Sequence, residues 1–144
     1  YFTITLEITP AQLPSVANNS YNIFDLVDIS SGLSTYSLFV GFGNMLELRR
    51  FGSVFGTLYS AMSPFTGSYY PSTSITFTVT SEKMILESSA TASTLTVYTS
   101  NAGFLGQKFN LFLSEPKQTS VGGALDALVI SGKGFFFNLR LFIV

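Results

Sequence analysis

Four aromatic side chains lie in or beside a segment rich in glycine, serine and proline, and their chemistry suits ligand contact. They are Tyr59, Phe65, Tyr69 and Tyr70. Flat rings in such a segment can stack on a sugar or fill the groove of a partner. The alternative, which we expect, is that these rings close one end of the hydrophobic core.

Acidic side chains are the next candidates, because carboxylate oxygens bind calcium. Asp25, Asp28 and Asp126 lie near predicted loops. A calcium ion needs several oxygens that converge on one point, and the sequence shows no such cluster. We therefore expect these residues to be solvated strand ends and expect no metal, with a calcium site as the alternative.

Residue types argue against catalysis. The chain contains no histidine and no cysteine, which excludes Ser-His-Asp and Cys-His nucleophiles and thiolate metal sites. Glycosidases instead place two carboxylates about 5 Å apart across one bond. Asp25 and Asp28 are three residues apart and should face opposite sides of a strand, whereas Glu82 and Glu87 lie on a turn and a strand. We predict that the protein is not an enzyme.

Composition limits the classes of partner. Hydrophobic residues make up 47% of the 144 residues and charged residues 10%, with a net charge of -1. A chain without a basic patch has no field that attracts nucleic acid. The chain has no apolar run of about eighteen residues, so we expect no membrane insertion. Few surface charges favour self-association, since little repulsion keeps copies apart.

One segment concentrates the apolar excess. Phe135, Phe136 and Phe137 are consecutive, so a strand there is apolar on both faces. Such a strand is covered on both sides, by its own domain or by a copy. With Phe142, these residues are the predicted assembly interface with copies of the chain or with neighbouring domains.

Two features concern processing. Asn18 begins an Asn-Asn-Ser tripeptide that matches the N-glycosylation acceptor pattern, and it is our candidate glycosylation site. The first residue, Tyr1, lies within an apparent strand with no initiator Met or leader before it. From this we expect a processed protein or an excised module.

The elements that position these residues are strands. Ile75, Phe77 and Val79 alternate with threonines, and the alternation returns at Leu95 and Val97, which predicts a three-stranded antiparallel meander within 74–100. Similar runs separated by turn residues predict further strands near 1–9, 21–29, 33–42, 45–51, 54–59, 109–113, 125–131 and 135–144. The sequence therefore predicts an all-β, antiparallel two-sheet β-sandwich (jelly roll) of ten to twelve strands with little or no helix, in a single domain covering 1–144.

A family resemblance covers nearly the whole chain. The runs FTITLEITP at 2–10, NIFDL at 22–26, LFV at 38–40 and LELR at 46–49 resemble the first half of a concanavalin A-like or laminin-G-like jelly roll. The run ITFTV at 75–79 resembles its central strand, and FFNLRLF at 136–142 its closing strand. The resemblance implies a concave face that often binds glycans and a place in extracellular or cell-surface recognition.

Two functional hypotheses follow. The first is a non-catalytic extracellular structural module that assembles through its apolar faces in a fibre, coat or multidomain surface protein. The alternative is a carbohydrate-binding, lectin-like recognition module that uses the aromatic segment and the hydroxyl-rich sheet face.

Overall fold

Alternating apolar and polar residues form strands throughout the chain. The computed structural model describes residues 2–9, 19–41, 45–50, 53–59, 73–89, 94–101, 107–113, 124–132 and 136–141, with 53–59, 124 and 136–141 described by backbone alone. These residues form eleven strands and no helix. The strands are β1 (Phe2–Thr9), β2 (Ser20–Asp28), β3 (Ser34–Gly41), β4 (Met45–Arg50), β5 (Ser53–Tyr59), β6 (Thr73–Val79), β7 (Lys83–Ser88), β8 (Leu95–Tyr98), β9 (Lys108–Leu113), β10 (Ala124–Gly132) and β11 (Phe136–Leu141). Within this part of the chain, no helix is long and apolar enough to cross a lipid bilayer.

The strands form two sheets. One has five strands in the order β10-β1-β6-β7-β8, and the other has six in the order β11-β9-β2-β3-β4-β5. The predicted all-β sandwich is confirmed. One detail differs, because β11 pairs with β9 in parallel while the other described pairs are antiparallel. An antiparallel hairpin cannot join two parallel strands, so β9 and β11 lie side by side with the whole of β10 between them in the chain.

The alternation of apolar and polar residues along each strand explains which face of the sheet is buried. In β1 and β6 the aliphatic and aromatic residues are buried, and the threonines between them are partly exposed. β6, β7 and β8 pair in sequence, which confirms the predicted meander. The segment 125–128 belongs to β10 and pairs with β1.

A cluster of rings holds the two sheets together. Phe2 and Phe77 of the five-stranded sheet meet Phe24, Tyr36 and Phe109 of the six-stranded sheet, with ring centroids 5.6–6.4 Å apart. These are the separations at which tilted and edge-on aromatic pairs attract. The five rings are at most 2% exposed, so they form the centre of the core.

Asn101 connects the sheets at one end of the sandwich. It is fully buried, and its Nδ2 donates to the carbonyl oxygen of Thr80 at 2.8 Å. Its Oδ1 accepts a hydrogen bond from the hydroxyl of Tyr36 at 2.8 Å. Arg50 Nη1 reaches Thr99 Oγ1 at 3.1 Å in the same region. The end of β4 and the segment after β8 are therefore fixed relative to each other.

Candidate functional site

The outer face of the six-stranded sheet is polar although much of it is buried. A register shift in β2 between Asn22 and Phe24 places Asn22 opposite Phe39 and Asp25 opposite Ser37. Asn22 and Asp25 therefore share the outer face although they are three residues apart. Nδ2 of Asn22 donates to the carbonyl oxygen of Phe24 at 3.1 Å, which holds the irregular backbone in place.

Arg49 lies across this face. Its guanidinium carbon is 4.0 Å from the ring centroid of Phe39, within the range of a cation–π contact. Nη2 donates to Glu47 Oε2 at 2.7 Å and to Ser20 Oγ at 2.8 Å, and Nε is 3.2 Å from the same carboxylate oxygen. Arg49 thus spans three strands, from its own β4 across β3 to β2.

The Arg49–Glu47 pair keeps polar atoms available. The two side chains are 23% and 13% exposed. Among the described residues, Arg49 Nη1 and Glu47 Oε1 have no hydrogen-bond partner. A donor and an acceptor therefore lie side by side on a pair whose geometry is already fixed. Such a pair can bind a ligand group that both donates and accepts hydrogen bonds.

The absence of a side chain at Gly41 leaves room for the side chains of Met45 and Glu47. Gly41 lies in the row beside the pair, opposite Met45 and Ser20. A Cβ at Gly41 would lie 2.7 Å from Met45 Cε and 3.3 Å from Glu47 Oε1. Any larger residue would therefore have to displace one of these two side chains.

The expectation that Asp25 is a solvated strand end is wrong. Asp25 is 3% exposed and accepts a short hydrogen bond from the hydroxyl of Ser34. Its row continues to Ser37 and Arg49 on the next two strands. Buried carboxylates need hydrogen-bond donors, and Ser34 of β3 provides one here.

Asp28 and Asp126 lie elsewhere. Asp28 begins the turn to β3, and its carboxylate accepts a hydrogen bond from the backbone N–H of Ser31 at 2.8 Å. Bonds from the Ser31 hydroxyl and then from the Ser31 N–H lower the pKa of Asp28 below its ordinary value of 3.8. Asp126 accepts from the hydroxyl of Thr9 at 2.7 Å. No group of three or more acidic residues within the described ranges could hold a metal, so Asp25, Asp28 and Asp126 do not form one.

The hydroxyl-rich face of the five-stranded sheet is a weaker candidate. Thr3 and Thr78 hydrogen-bond to each other at 3.2 Å, and Thr5 and Thr76 at 3.3 Å. A shallow pocket of about 290 Å³ lies at one end of this sheet and includes Thr3 and Thr78 in its lining. Because these hydroxyls bond to each other, they offer less to a ligand than the Arg49–Glu47 pair.

Six of the residues singled out in the sequence fall outside the described ranges. Phe65, Tyr69, Tyr70, Asn18, Phe135 and Phe142 lie there, so their predicted roles stay predictions. For Tyr59, Phe136 and Phe137 only the backbone is described. Tyr59 ends β5 opposite Met45, at the same end of the sheet as Gly41. Phe136 and Phe137 lie in β11, at the edge of the six-stranded sheet.

Sequence reasoning missed the site formed by Arg49, Glu47 and Phe39. Leu46 and Leu48 of β4 are buried, and Glu47 and Arg49 alternate with them on the outer face. A signal was present, because Glu47 and Arg49 are two residues apart and must share one face of a strand. The neighbouring Phe39 could be placed beneath them only once the pairing of β3 with β4 was known.

Comparison with known proteins identifies the fold. No protein-family model matches the sequence, and no curated protein matches it. Among solved structures, a double mutant of congerin II has a TM-score of 0.51 at 15% identity, covering 90% of both chains. A variant of human galectin-16 has a TM-score of 0.51 at 12% identity, covering 90% of this chain and 86% of that one.

A third structure is similar over part of its length. It is the alginate lyase AlgAT5 of polysaccharide lyase family 7, with a TM-score of 0.47 at 15% identity. The similarity covers 69% of this chain and 41% of the lyase, so the matched region is less than half of that protein.

The chain has the concanavalin A-like jelly-roll fold.

Proposed function

We propose that this protein is a carbohydrate-binding, lectin-like module that binds a neutral glycan on the outer face of its six-stranded sheet. The observation that carries the proposal is the Arg49–Glu47 pair, held over Phe39 and Ser20 with Nη1 and Oε1 still available. The fold supports it, because human galectin-16, a lectin by name, has a similar backbone over 90% of this chain.

Sugar hydroxyls match the atoms that the pair offers. Each hydroxyl both donates and accepts, so two neighbouring hydroxyls can accept from Arg49 Nη1 and donate to Glu47 Oε1. Hydrogen bonds to charged groups are stronger than those between neutral groups. The pair is already fixed by Ser20 and Phe39, so binding requires little further ordering of the protein.

Charge favours a neutral sugar over an acidic one. Arg49 Nη2 lies 2.7 Å from Glu47 Oε2, so the positive charge of one side chain balances the negative charge of the other. The carboxyl group of Asp25 lies in the same row of the sheet as Arg49. A uronate or sulfate would therefore meet no net positive charge and would lie close to two carboxyl groups.

In this proposal the aromatic segment with Tyr59, Phe65, Tyr69 and Tyr70 contacts a second side of the bound sugar. Tyr59 ends β5 opposite Met45 of β4, and Phe65, Tyr69 and Tyr70 follow it closely in the sequence. A ring from this segment would stack on the apolar face of a sugar held by its hydroxyls. Carbohydrates are then the partners, in an extracellular or cell-surface setting.

Binding without catalysis is part of the proposal. Asp25 and Asp28 lie on opposite faces of β2, because Asp25 pairs with Phe112 and Asp28 with the core residue Phe109. They cannot flank one glycosidic bond as a catalytic pair must. Prolonged incubation with the polysaccharides that it binds should release no shorter sugars.

The test is retention on a panel of immobilised neutral and acidic glycans. Arg49→Leu should weaken binding to the best neutral glycan by about 10- to 100-fold, the loss expected when a charged hydrogen bond of about 1.5–3 kcal/mol is removed. Arg49→Lys should lose nearly as much, because lysine lacks the fork that bonds to Glu47 and Ser20 together.

Lys83→Leu is the matched control, since it removes one positive charge from the other sheet. It should leave glycan retention unchanged, and thermal melting should show that all three variants fold. Undiminished binding by Arg49→Leu would rule out this site. Binding only to acidic glycans would contradict the proposed ligand class.

A further inference from the structure

The strand β10 is an edge of the five-stranded sheet. Within the described residues it hydrogen-bonds on one side only, to β1. The backbone N–H and C=O groups on the other side of an edge strand can pair with another strand. β10 is nine residues long, whereas β8 at the opposite edge has four.

Two large apolar side chains of β10 are exposed. Val129 is 61% exposed and Leu125 is 38% exposed. Asp126 is the one charged residue in the strand, and it bonds to Thr9 of the neighbouring β1. Protected edges usually carry charges, prolines or bulges. The bulge in this pair lies opposite Glu7 and Ile8, so residues 127–132 form a regular edge without a charge.

We propose that β10 pairs with β10 of a second copy of this chain, antiparallel about a two-fold axis. The two five-stranded sheets would then form one continuous ten-stranded sheet. Each strand would donate to and accept from the same strand of the other copy, so the interface is closed and symmetric. The pairing satisfies the outward backbone groups and covers the exposed valine.

The side chains of β10 are compatible with pairing to themselves. Residues directly opposite in an antiparallel pair share a face. If the two-fold axis lies at Leu128, Val129 or Ile130, the core-facing residues of both copies therefore lie on the same face of the joined sheet. Val129 then meets Ala127, Val129 or Ser131 of the other copy. In none of these registers does one Asp126 lie opposite the other.

Core packing and charge also favour a second copy as the partner. Leu128 and Ile130 are only partly buried at this edge of the core. The same residues of a second copy would complete their burial, which is favourable for apolar surface. With a net charge of -1 on each chain, the copies repel one another weakly.

The test is the native mass measured by light scattering and sedimentation over a range of protein concentrations. The wild-type chain should reach twice the 15.6 kDa of one copy. Val129→Lys should raise the dimer dissociation constant at least about tenfold, because two-fold symmetry brings both new charges into one interface. Since Val129 is exposed, the variant should keep the circular dichroism spectrum and melting temperature of the wild type.

Tyr98→Lys is the control, because Tyr98 is 78% exposed at the opposite edge of the same sheet. It should leave the dimer intact. A wild-type mass of one chain at every concentration would overturn the proposal. Equal dissociation constants for wild type and Val129→Lys, or loss of the dimer in Tyr98→Lys, would also overturn it.

Discussion

At the scale of single residues, buried polar side chains determine how this sandwich is closed. Asn101 accepts a hydrogen bond from Tyr36 in one sheet and donates to the carbonyl oxygen of Thr80, which follows β6 in the other. Its backbone N–H also donates to Ser81. In the sequence, Asn101 is indistinguishable from an ordinary turn residue, since Tyr36, Thr80 and Ser81 are 20 or more residues away.

Replacing Asn101 should reveal this role. Asn101→Ala would leave the buried hydroxyl of Tyr36 and the carbonyl oxygen of Thr80 with fewer partners, so it should lower the free energy of unfolding by about 2–3 kcal/mol. Tyr36→Phe removes one of the same bonds and should cost about 1 kcal/mol. Urea unfolding measures both values.

Ser100→Ala is the neighbouring control, because Ser100 is exposed and the bond described for it uses its backbone oxygen. It should change the unfolding free energy by less than about 0.5 kcal/mol. If Asn101→Ala were as mild as this control, Asn101 would not connect the two sheets.

At the scale of strands, Gly41 and Glu47 show how β3 and β4 together form the site. Gly41 pairs with Met45, and a side chain at Gly41 would approach both Met45 and Glu47. A side chain larger than a methyl group at position 41 would therefore crowd Glu47 Oε1.

Substitutions at Gly41 should separate binding from folding. Gly41→Ala should be tolerated, since its methyl group mainly displaces the flexible end of Met45. Gly41→Val places a branched side chain next to Glu47 and should weaken glycan binding about tenfold or more, with little change in melting temperature. Calorimetry with the best neutral glycan measures this. Equal affinities for the valine and alanine variants would contradict the position assigned to the ligand.

The strands themselves could be predicted because a period of two is a local signal. β1 and β6 follow it over their whole length, so their buried faces were predictable from the sequence. The bulge in β2 is not local, since it depends on pairing with β3 and moves Asp25 onto the face that Asn22 occupies. For this reason the expectation that Asp25 is solvated is wrong. The site around Arg49 depends on another non-local feature, the pairing of β3 with β4.

At the scale of the whole molecule, the two outer faces of the sandwich differ in chemistry. The five-stranded sheet presents threonines that hydrogen-bond to one another, with an apolar edge at β10. The six-stranded sheet presents a charged pair above buried polar residues. The parallel placement of β11 beside β9 was also beyond sequence reasoning, because it requires knowledge of which distant strands meet.

These differences give each face a separate proposed role. We place glycan binding on the six-stranded sheet and contact between copies on the edge of the five-stranded sheet. The two proposals can fail independently, since Arg49 and Val129 lie in different sheets.

The most direct test of the central claim is an amide chemical-shift map of the labelled protein during titration with the best neutral oligosaccharide. The proposal predicts the largest shifts at Ser20, Phe39, Gly41, Glu47 and Arg49, together with residues of the 60–72 segment. The threonines of β1 and β6 should not shift. Shifts centred on the five-stranded sheet, or no saturable shifts with any glycan of the panel, would contradict it.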